Sequence, residues 1–164
     1  MRSASCAVGL LISSTMIVAP LRAQTTTLTI TGGSTATFNQ PMLTDYATGY
    51  IDGPTITFVV SLAGGSAGTT HTTTVEICGG SGSLGSGKSL SNLLWQPSDG
   101  SKPWQSLTAN CSGPVKATRT VGAQALASGG SWSGGVRLRM MLDWTDTAPS
   151  YGTTIGMTVA VSTP

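Results

Sequence analysis

Charge is the scarcest resource of this chain. Asp, Glu, Lys and Arg make up 9% of it, eight basic against six acidic residues, for a formal net charge of +2. A nucleic-acid surface needs clustered Lys and Arg to displace counterions from phosphates. Here Lys116 and Arg119, and then Arg137 and Arg139, fall two by two on separate predicted strands. No nucleic-acid partner is expected.

Histidine is scarcer still. His71 stands alone among threonines, so neither a zinc site nor a Ser-His-acid triad can be assembled around it. No serine combines a Gly-x-Ser-x-Gly elbow with a plausible base. Among the carboxylates only Asp143 and Asp146 are close in sequence, at a strand end where Asx side chains cap turns. A weak calcium site there, or near Asp45 and Asp52, is the lesser reading. The sequence therefore predicts no catalytic activity, no cofactor and no metal.

Long hydrophobic runs are also missing, with one exception at the start. Arg2 precedes a largely apolar stretch from Cys6 to Leu21, broken by Ser13, Ser14 and Pro20, and Ala23 offers a small residue for cleavage. This pattern predicts a signal peptide over residues 1–23 and one domain over residues 24–164, secreted, periplasmic or at the cell surface. No membrane insertion is expected after cleavage. Removing Arg2 and Arg22 leaves six basic and six acidic side chains, so the basic character of the precursor carries no message about anionic partners.

Of three cysteines, cleavage leaves Cys78 and Cys111. In an exported chain the default is a disulfide. It closes a loop of about 30 residues and restrains the unfolded state by roughly 3–4 kcal/mol.

What the chain does have is threonine, glycine and alternation. In residues 132–144 a period of two places Val136, Leu138, Met140, Leu142 and Trp144 on one face, with Arg137, Arg139, Met141 and Asp143 on the other. Residues 155–161 alternate in the same way, and the two strands form either a hairpin or a return between two sheets. Further strands are predicted at residues 25–31, 35–38, 55–62, 70–78 and 114–121. Residues 89–95 read as a short helix, residues 40–53 as a loop, and residues 123–127 are ambiguous. In the 70–78 strand Val75 and Ile77 share one face and Cys78 lies on the other. Six to eight short strands with Gly-rich connections and at most one short helix indicate an all-β fold, a sandwich or small barrel, with one disulfide. Threonine-rich strand surfaces with little charge are poorly defended against edge-to-edge association.

Two patterns invite sharper readings. Residues 82–89, Gly82 to Ser89 with Lys88 seventh, match the P-loop pattern letter for letter. The segment before Pro97 is too short for the crossover helix a nucleotide fold requires, so a surface loop is the preferred reading. The four tryptophans suggest sugar stacking. Trp95 and Trp104 bracket a Pro-rich loop as a candidate binding platform, whereas Trp144 is expected in the core.

Residues 149–164 place Tyr151 and Gly152 ahead of an alternating Thr/Val strand. This segment resembles the final strand of secreted bacterial β-sandwiches of the spore-coat-protein-U and fimbrial-subunit type. The resemblance covers about 16 residues and departs from the family in lacking a cysteine near the mature N-terminus. It implies an immunoglobulin-like or similar Greek-key β-sandwich at the cell surface, assembled by strand exchange, with residues 25–31, led by Leu28 and Ile30, as the candidate donor strand. The competing reading makes that run the domain's own first strand. The function expected is a secreted or surface structural protein that self-associates or joins other surface proteins, with an extracellular glycan- or protein-binding module as the alternative.

Overall fold

The computed structural model describes residues 24–33, 37–65, 68–80, 83–85, 87–108, 119–146 and 151–162. The residues expected to form the signal peptide, and Cys111, lie outside them. The described chain is built of antiparallel strands: β1 (Thr25–Gly32), β2 (Tyr50–Ala63), β3 (Thr70–Gly79), β4 (Ser83–Gly85), β5 (Lys88–Ser89), β6 (Leu93–Pro97), β7 (Gln105–Ser106), β8 (Arg119–Ala127), β9 (Ser131–Met141) and β10 (Ile155–Ser162). Five of them form one sheet in the order β1-β2-β9-β6-β7. Three form a second, β10-β3-β8, and β4-β5 is a separate hairpin.

Alternation decides what each strand buries. In β2, Ile56, Phe58, Val60 and Leu62 point inward, and in β9 Val136, Leu138 and Met140 do so opposite them. β3 contributes Val75 and Ile77, and β8 contributes Val121 and Leu126. These side chains from both sheets belong to a single hydrophobic cluster. Each fully buried aliphatic side chain there stabilises the fold by roughly 1.5–3 kcal/mol. A polar tie also crosses between the sheets: Trp132 Nε1 in β9 donates to Thr73 Oγ1 in β3 at 2.8 Å, and the same hydroxyl donates to the Gln124 carbonyl.

Several expectations are corrected. The 89–95 segment is not a helix. It holds one 3₁₀ turn, Leu90–Asn92, and then enters β6, where Leu93, Trp95 and Pro97 face the core. The one α-helical stretch among the described residues, α1 (Leu43–Thr48), lies instead in the expected loop, begun by the Asp45 carboxylate accepting from the Met42 amide and ended at Gly49, whose φ of 79° suits glycine. Of the two readings of residues 132–144 and 155–161, the hairpin is excluded and the return between sheets holds: β9 lies between β2 and β6, and β10 pairs with β3 in the other sheet. Trp144 is not core. β9 stops at Met141, the chain turns, and the indole is 67% exposed. Cys78 has the parity opposite to Val75 and Ile77, yet is buried as they are.

Candidate functional site

β1 and β10 stand at the ends of their sheets and on the same side of the molecule. β1 pairs with β2 alone and β10 with β3 alone, and the two run beside each other without sharing a ladder. Each therefore carries one row of backbone groups unpaired by any described strand, the feature that lets a sheet accept a further strand. The side chains along this seam are apolar and incompletely covered. Leu28, Met157 and Val159 are half-buried against the core, while Ile30 and Val161 are more exposed. Between the sheets the seam opens into a cleft of about 340 Å³ lined by Ile30, Phe38, Leu84, Met140, Tyr151 and Met157 among others.

Tyr151, which lines that cleft, also belongs to a polar cluster. The β4-β5 hairpin turns Lys88 inward, where its Nζ meets Asp146 Oδ2 at 2.5 Å; the two side chains are 5% and 10% exposed. Asp146 also accepts from the Asp143 amide at 2.9 Å and from the Tyr151 hydroxyl at 3.2 Å, and the Lys88 ammonium lies 5.2 Å from the centre of the Tyr151 ring. Burial opposes ionisation of Asp146, but its hydrogen bonds from Lys88 and Asp143 and the Lys88 charge outweigh it and hold the carboxyl below its ordinary range. Burial, with the adjoining Asp146 carboxylate, raises the Tyr151 phenol. Asp143 is lowered by hydrogen bonds from the Thr145 backbone and hydroxyl, the Asx turn expected at this position.

This geometry disposes of the P-loop resemblance. A phosphate-binding lysine must present its ammonium to the ligand, and the Lys88 ammonium is already held by a carboxylate. The segment is a β-hairpin leading into a 3₁₀ turn, without the helix whose N-terminus would face a phosphate.

Trp95 and Trp104 do not come together. Trp95 is fully buried on the inner face of β6, and its Nε1 finds no hydrogen-bond partner among the described residues. Trp104 is half-buried on the outer face, 4.3 Å from the Arg139 guanidinium, whose other neighbour is the Tyr50 ring at 3.7 Å. Arg139 is held there by Asp52 through two hydrogen bonds of 2.6 and 3.0 Å. The sheet separates the two indoles, so they form no common platform. Leu28 and Ile30 lie on β1, paired with Val60 and Phe58 of their own chain. His71 is buried at the inner side of β3, with Nδ1 unpartnered among the described residues.

No family model, no curated protein and no solved structure matches this chain.

The Lys88–Asp146–Tyr151 cluster was not legible beforehand. Its members are separated by up to 63 positions, and an ion pair closed by tertiary packing leaves no local spacing signal. The open seam had one sequence sign, the alternating apolar residues of β1 and β10 next to uncharged threonines.

Proposed function

We propose that this protein is a secreted or surface structural subunit without catalytic activity that self-associates by adding a strand from a second copy at the β1/β10 seam. The fold reading behind this is an immunoglobulin-like Greek-key β-sandwich. Taken in chain order, β1, β2, β9 and β6 occupy the positions of strands A, B, E and D in one sheet, while β3 and β10 occupy C and F in the other. β7 and β8 are additions at the far edges. In this reading a seventh strand, G, would pair with the outer edge of β10, an edge that pairs with no described strand. The single observation that carries the proposal is the pair of neighbouring end strands, β1 and β10, whose outer edges pair with no described strand and whose Leu28, Ile30, Met157, Val159 and Val161 are incompletely covered. An alternating apolar strand laid there would satisfy the free edge and cover those side chains at once.

In this reading residues 1–23 direct export and are removed, and Cys78 pairs with Cys111. The Gly79 amide donates to the Thr108 carbonyl at 2.7 Å. Cys111 follows three residues later, within roughly 10 Å of extended chain, so the bond fits between β3 and the segment after β7. The partners are other copies of the chain or other surface proteins.

Size distribution of the gently extracted native protein, with negative-stain imaging of the high-mass fraction, tests the proposal. Regular assemblies are expected for the wild type, and the double variant Ile30→Lys/Val161→Lys should be monomeric with unchanged strand content, since both positions are partly exposed. A wild type that is monomeric at every concentration would sink the reading.

A further inference from the structure

The outer face of the five-stranded sheet, toward the β7 edge opposite β1, carries a second feature that strand addition does not use. Arg137 and Arg139 alternate with the core residues of β9, so both guanidinium groups emerge on this face. Their surroundings differ. Arg139 donates to both oxygens of Asp52 and lies against the rings of Tyr50 and Trp104. Arg137 is exposed and pairs with no carboxylate among the described residues. It donates instead to the neutral Oε1 of Gln96 at 2.6 Å. Gln96 is fixed from its other end, because its Nε2 donates to the Lys102 carbonyl at 2.7 Å, and a carbonyl can only take the NH₂ side of the amide. Of the five N–H donors of Arg137 the Gln96 bond uses one. Arg137 lines a pocket of about 150 Å³ together with Asp52, Gln96, Trp104 and Arg139, and its guanidinium carbon is 5.8 Å from the centre of the Trp104 ring.

Charge and size select the occupant. Two guanidinium groups and one carboxylate leave a single net positive charge in the lining. Because both Asp52 oxygens are engaged by Arg139, that charge belongs to Arg137. A cation is repelled. A dianion such as sulfate brings one charge more than the pocket balances, beside the Asp52 carboxylate. A carboxylate matches the charge, and its two oxygens suit the planar fork of a guanidinium. The pocket is smaller than the roughly 300 Å³ at which drug-sized sites begin, so it has room for one small ring, and the indole wall favours an apolar body next to the charge. We infer that the pocket between Arg137 and Trp104 binds a small organic monocarboxylate, its carboxylate on Arg137 and its apolar body against the Trp104 ring. This site is distinct from the β1/β10 seam and stands or falls independently of self-association.

Isothermal titration calorimetry of the purified protein with benzoate, acetate, sulfate and the neutral isostere benzamide tests the inference. Saturable binding of benzoate is expected, with Kd on the order of 1 mM for so small and open a site, weakening as ionic strength rises. Acetate should bind more weakly than benzoate, sulfate more weakly still, and benzamide not at all. Arg137→Gln should weaken benzoate binding at least about tenfold through loss of charge-assisted hydrogen bonds. Arg137→Lys should recover only part of it, since it keeps the charge and loses the fork. Arg119→Gln, which removes an exposed cation from β8 of the other sheet, should leave binding unchanged. Arg137 is exposed, so circular dichroism should report intact folds for its variants. Absence of saturable heat with benzoate, or equal affinity in Arg137→Gln, overturns the inference. So does acetate, sulfate or benzamide binding as tightly as benzoate.

Discussion

Lys88 sits in a stretch of glycine and serine where a lysine would ordinarily be solvated, yet it is one of the most buried polar side chains described. Two charges leaving water cost several kcal/mol each, a cost offset only by close pairing and further hydrogen bonds. Asp146 supplies both, since it accepts from Lys88, from the Asp143 amide and from Tyr151. Removing one partner strands the other. Asp146→Asn is expected to lower unfolding free energy by roughly 3 kcal/mol in urea titrations, whereas Lys88→Met combined with Asp146→Leu should recover most of it. The pair also sets an acid limit. Because the folded-state pKa of Asp146 is depressed, its contribution is complete above the unfolded carboxylate value near ~4 and is lost as pH falls through the lower folded value. Urea midpoints should therefore drop below about pH 4, and Asp146→Asn should flatten part of that drop.

At the scale of elements, β9 shows why glycine appears where a strand would favour larger residues. A Cβ on Gly134 would lie 2.7 Å from the Phe58 ring, which is itself packed edge-on against Trp132 at 5.4 Å. Phe58 is 1% exposed and has nowhere to retreat. Gly134→Ala should cost roughly 1–3 kcal/mol through overpacking, measured by thermal or urea unfolding, with loss of the near-ultraviolet dichroism of Trp132. The strongly alternating strands, β2, β3, β9 and β10, were readable because burial on one face imposes period two. β8 was not. Its partner register slips between Val75 and Glu76, so Val121 and Leu126 both reach the core despite opposite parity, and no single alternation fits residues 119–127. β2 extends back to Tyr50 through Asp52, Gly53 and Pro54, a turn signal in sequence, because a bulge absorbs it while Asp52 meets Arg139 of β9. Leu90 and Leu93 are spaced as on a helix face, but Leu93, Trp95 and Pro97 pack as a strand once β9 lies beside them. The stacking of Trp144 on Tyr46 of α1, with ring centroids 5.2 Å apart, was hidden for a similar reason: parity along β9 ends where the Asx turn begins.

For the whole molecule the sequence made the all-β class legible, while the assignment of strands to two sheets depended on long-range pairing it does not encode locally. The proposed Cys78–Cys111 bond is a test at this scale. The mature protein should titrate no free thiol when denatured, and reduction should lower stability by roughly 3 kcal/mol, the loop-closure contribution. A measurable thiol, or stability indifferent to reductant, would remove the bond from the account. The strand registers carry one more consequence. Thr25 lies opposite Ala63 and Ser162 opposite Thr72, so both sit beside the short connection between β2 and β3, at the same end of the molecule. Tension applied between residues 25 and 162 would peel β1 from β2 and β10 from β3 one hydrogen bond at a time. A ladder loaded in that manner yields at far lower force than one loaded in shear. The domain pulled between residues 25 and 162 is thus a weak spring, and the filament proposed above would have to carry its load along strands gripped from neighbouring copies.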